Sequence, residues 1–94
     1  MKEYELGIVF VATLEEEKID QEIAKITTLL EKEKCEITRV DKWGIKKLAY
    51  PIKKQENGFY IFIYFNGTST IVPELERVNK INDLVLRQMI VKTD

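Results

Sequence analysis

Residues 59–65 read Phe-Tyr-Ile-Phe-Ile-Tyr-Phe, seven apolar or aromatic side chains without a break. A run this short, bounded by Asn57-Gly58 and Asn66-Gly67-Thr68-Ser69, is a strand rather than a helix. Side chains alternate across a strand, so Phe59, Ile61, Ile63 and Phe65 leave one face and Tyr60, Phe62 and Tyr64 the other. Whichever set packs against helices, the opposite set is large and apolar. A 94-residue chain has room for one domain, residues 1–94, with a modest core. The rest of the chain must therefore supply the helices for one face of this strand.

It does so in a recognisable order. Tyr4–Val11 is β-branched and aromatic, hence a strand. Thr13 and Glu16 have the spacing of a capping box, which predicts a helix over 14–34 with Ile19, Ile23, Ile26 and Leu30 as its apolar stripe. Residues 35–52 look like a strand whose apolar positions change phase. Gly44 is the natural bulge, and Pro51 suits an edge. Residues 53–58 form a polar turn in which Asn57-Gly58 accepts positive φ. Ile71, Leu75 and Val78 mark a second helix ending near Asn82, with Pro73 in its first turn. Residues 85–91 are the last strand. The order β-α-β-β-α-β, with right-handed crossovers, predicts an α+β, ferredoxin-like split βαβ sandwich. Its four-stranded antiparallel sheet runs 4-1-3-2, with both helices on one face.

Several function classes fall away on residue types alone. The chain has no histidine and one cysteine, which excludes an intramolecular disulfide, a Cys/His zinc site and histidine-dependent nucleophilic relays. Cys35 reads as a small buried hydrophobe. Glu15, Glu16 and Glu17 are explained by the positive end of a helix dipole. The glycines form no phosphate-binding loop. No catalytic residue, metal, cofactor or small-molecule substrate is expected. No apolar run reaches the ~18–20 residues of a membrane span, and a reducing cytoplasm is the expected compartment.

The charge is nearly balanced overall, 15 basic residues against 16 acidic, but it is segregated. Residues 1–38 hold five lysines against ten carboxylates. Residues 39–54 hold Arg39, Lys42, Lys46, Lys47, Lys53 and Lys54 against Asp41 alone. Such a patch is what phosphate binding needs, because attraction is screened within ~8–10 Å. The aromatic face suits stacked bases or a protein partner. Two readings fit this pattern: a stand-alone regulatory or ligand-binding domain, and an RNA-recognition module that reads bases with aromatics on its third strand.

Gly44-Ile45-Lys46-Lys47-Leu48-Ala49-Tyr50-Pro51-Ile52-Lys53 closely resembles the signature of the bacterial small-subunit ribosomal protein S6 family. Lys2 before Tyr4-Glu5, Gly58-Phe59-Tyr60, and Arg87 before Met89-Ile90-Val91-Lys92 extend the likeness over residues 2–92. The resemblance implies a structural, non-enzymatic component of the 30S subunit, cytoplasmic with the ribosome. It would bind the central domain of 16S ribosomal RNA together with the small basic ribosomal protein S18, and be a monomer when isolated. It points to Lys2, Lys46, Lys47 and Arg87 as RNA contacts, with Tyr4 and Tyr50 beside them. Lys42, Lys53 and Lys54 join them as members of the basic segment. Tyr60, Phe62, Tyr64 and Met89 form the expected surface for the partner protein. The pair Lys46-Lys47 stands where arginines are common in the family, so it would meet phosphate as point charges without a bidentate fork.

Overall fold

The computed structural model describes residues 1–93. The elements are β1 (Lys2–Val11), α1 (Glu16–Lys32), β2 (Glu36–Ile52), β3 (Gln55–Gly67), α2 (Ile71–Lys80) and β4 (Val85–Lys92). The sheet order is β2-β3-β1-β4, and every pairing is antiparallel. This is the ferredoxin-like sandwich predicted from the element order.

Alternation along the two central strands builds the core. Leu6, Ile8 and Phe10 of β1 and Ile61, Ile63 and Phe65 of β3 are all buried on the helix side. Ile19, Ile23, Ile26 and Leu30 of α1 and Ile71 and Leu75 of α2 close over them. Asn79 completes the α2 stripe one residue past Val78, because its amide donates to Gln88 Oε1 at 3.1 Å. A second, smaller cluster of Val9, Leu48 and Leu86 lies on the opposite sheet face, near the β2–β3 hairpin.

Three local expectations are corrected. The capping box does not form: Glu15 is the N-cap, no side chain caps the helix, and α1 starts at Glu16. Ala12–Leu14 are consumed in turning away from β1, with Leu14 N–H directed at Val11 O. At the other end α1 stops at Lys32 in a Schellman motif, with Cys35 N–H on Leu30 O at 2.9 Å and Lys34 N–H on Glu31 O at 3.0 Å. Lys34 occupies the left-handed position, φ 62°, where glycine is usual. The hairpin turn is made by Lys53 and Lys54, φ 49° and 65°, and not by Asn57-Gly58, which already lie in β3. Gly58 is there for space: a Cβ on it would overlap Val9 Cγ1. Gly44 behaves as expected, at φ 88° beside a register shift between Lys42 and Gly44.

Candidate nucleic-acid interface

β2 is an edge strand of 17 residues, irregular at three points, and those irregularities decide where its side chains go. The bulge at Trp43 turns its indole onto the helix-free face, where it meets Phe62 with ring centroids 4.5 Å apart. Next along that face, the Arg39 guanidinium lies 4.5 Å from the Tyr64 ring centroid, and the Lys46 ammonium lies 5.7 Å from that of Trp43. The open-face aromatics are thus partly roofed by β2's own cations and indole. Tyr60, Phe62 and Tyr64 are half-buried, while Met89 remains exposed. A shallow recess of about 220 Å³ opens over Gly7, walled by Val9, Tyr60, Phe62 and Met89 with Arg87 at its rim.

The expected RNA contacts do not all fall together. Lys46, Lys47, Tyr50 and Lys54 are exposed on β2 and its hairpin. Lys53 is exposed too, but its ammonium donates to Val85 O at 3.3 Å. Arg87 is exposed on β4 opposite Val9, toward the hairpin end of the sheet. Lys2 is exposed at the other end of β1, roughly 30 Å along the strand, and does not join this group. Lys42 points to the helix side instead, where it bonds Asp20 and lies 3.6 Å from Glu16 of α1. The Asp20 hydrogen bond holds its ammonium above the ordinary lysine range, against a smaller desolvation effect. Tyr4 corrects the expectation of a surface contact: it is 6% exposed and stacks on Phe65 at 5.5 Å in the core.

Sequence reasoning passed over Trp43 and Arg39 as site residues. The signal was present, since the chain's one tryptophan sits inside its one basic segment. What hid it was phase: without the bulge, the face Trp43 occupies is not readable. Cys35 offers no alternative chemistry, because burial pushes its thiol up and the Glu33 carboxylate adds to that. Among the described residues, no group of three His, Cys, Asp or Glu side chains could hold a metal ion. Among the described residues, no helix is long and apolar enough to cross a membrane.

The class is therefore an α+β sandwich with one helix-covered face, a half-open aromatic face and a basic edge strand. Residues 3–92 match the family model described as ribosomal protein S6, and the chain belongs to that family of small-ribosomal-subunit proteins. It is similar to small ribosomal subunit protein bS6 of Caldanaerobacter subterraneus, 42% identical over 94 residues, covering 100% of this chain and 99% of that one. The bS6 protein of Moorella thermoacetica is 38% identical, covering 100% and 96% respectively. Among solved structures, the 30S ribosomal protein S6 of Thermotoga maritima superposes with a TM-score of 0.92 at 26% identity. That alignment covers 98% of this chain and 87% of the other.

Proposed function

We propose that this chain is a non-catalytic scaffold of the small ribosomal subunit that binds the central domain of 16S ribosomal RNA together with ribosomal protein S18. The observation that carries the RNA reading is the grouping of exposed Lys46, Lys47 and Lys54, with Tyr50, on one edge strand and its hairpin. These cations neutralise phosphates and release counterions, while the sheet fixes their spacing. Lys53 and Arg87 flank them. Lys42 serves the fold, tying β2 to α1.

The partner surface is the part of the open face that β2 leaves uncovered: the recess over Gly7 and the exposed Met89, beside half-buried Tyr60, Phe62 and Tyr64. Glu5 lies on this face, registered between Tyr64 and Val91. This acidity favours a basic partner and limits non-specific RNA adhesion. The single domain works as a monomer until it meets RNA and partner, in the cytoplasm with the ribosome. Gradient sedimentation of a cell lysate tests the reading. Co-migration with 30S particles is expected; migration only as a free 11.1 kDa species or its dimer would contradict it.

A further inference from the structure

Trp43 is 55% exposed, which is unusual for an indole with an aromatic neighbour available to bury it. Three features hold it in that position. Phe62 backs it at 4.5 Å with the planes tilted by 49°, so one part of the ring is supported and the rest faces solvent. The positive φ of Gly44 makes the bulge that lifts it, and nothing lies within 4 Å of where a Gly44 Cβ would stand. Cations flank the ring system on both sides: Lys46 at 5.7 Å from the Trp43 centroid, and Arg39 over Tyr64. Asp41 fixes Arg39 from the strand itself, its carboxylate accepting from Nε at 3.0 Å.

Exposed aromatics set among cations are the recurring arrangement for single-stranded nucleic acid, with bases on rings and phosphates on lysines. A basic protein would be repelled from this part of the sheet, whereas RNA brings the complementary charge. We propose that Trp43 stacks an unpaired base of the bound RNA, with Lys46 turning from the indole to that nucleotide's phosphate. This rests on the RNA-binding reading above and adds base stacking to its phosphate contacts.

The lone tryptophan makes its own emission a site-specific probe. The experiment titrates the full chain with a 16S central-domain transcript, following retention of RNA and Trp43 fluorescence together. S18 is added in a parallel series, with Trp43→Phe supplying the background. RNA should quench the Trp43 emission strongly. Trp43→Ala should weaken binding roughly 5- to 100-fold at an unchanged salt slope, because stacking releases no counterions. Trp43→Phe should keep most of the affinity. RNA binding with unaltered emission and full affinity of Trp43→Ala would overturn the stacking role and leave the phosphate contacts standing. A blue shift on adding S18 alone, with no further change on adding RNA, would give Trp43 to the protein interface and also overturn it. Failure of the unsubstituted chain to bind the transcript, with or without S18, would overturn both readings.

Discussion

Two glycines in the basic hairpin region are needed for different reasons, and single substitutions separate them. Gly58 leaves no room for a Cβ between Val9 Cγ1, Leu48 Cδ2 at 3.4 Å and Phe10 O at 3.5 Å. Val9 is stiff at χ1 and buried, so Gly58→Ala should cost about 1–3 kcal/mol through overpacking, read as a lower denaturation midpoint. Gly44→Ala meets no atom but keeps a left-handed backbone, so its cost should be about 1–2 kcal/mol from strain alone. Glu22 supplies the clearest pH dependence. It is 2% exposed, and Asn82 donates to it at 2.7 Å across 60 residues while Lys25 and Lys18 approach at 3.0 and 3.3 Å. Burial pushes its carboxyl up, but the hydrogen bonds from Lys25, Asn82 and Lys18 outweigh that and hold it below the usual glutamate range. A depressed folded value means stability that is present above the unfolded pKa of about 4.3 and lost as pH falls toward the folded one. Glu22→Gln should therefore flatten the loss of stability below about pH 5 in acid denaturation followed by circular dichroism. An acid limb as steep as the unsubstituted chain's would remove Glu22 from that role.

At the scale of elements, the β2–β3 hairpin turns on two lysines in left-handed conformation, φ 49° and 65°. Lysine bears a Cβ penalty there that glycine escapes and asparagine offsets by local hydrogen bonds, and both residues in that region is what a type I′ turn demands. Lys53→Asn with Lys54→Gly should raise the stability of the chain by about 1 kcal/mol while weakening RNA association. The combination would separate folding from function at one site. A melting temperature that falls would mean that the Lys53–Val85 contact outweighs the backbone strain. The same hairpin shows where the sequence was legible. Strand and helix periods named all six elements and their order, because the period of apolar residues tells helix from strand even where the face it occupies stays open. The turn was misplaced because Asn57-Gly58 carries the stronger local signal, and tertiary packing of Gly58 against Val9 overrules it. The capping box failed for a related reason: the chain needs residues 12–14 to leave β1 before a helix can begin. Exposed Lys46, Lys47, Tyr50 and Lys54 could be named from sequence, but the inward turn of Tyr4 and the face of Trp43 depend on register and a bulge.

For the whole molecule, charge is sorted by element, so that a chain of near-neutral total still carries an edge of exposed cations. Carboxylates gather on α1, where Glu16 and Asp20 neutralise Lys42, while Lys46, Lys47, Lys53 and Lys54 stand exposed on the far part of β2 and its hairpin. On the proposed function, this edge holds ribosomal RNA by charge. Its most direct test is the salt dependence of affinity for the 16S central-domain transcript, measured with S18 present for the unsubstituted chain and for Lys46→Ala with Lys47→Ala. The variant should bind more weakly, with a log–log slope flattened by about 0.7–0.9 for each lost phosphate contact. A variant with the same slope and the same affinity would contradict it and place the RNA site elsewhere on the molecule.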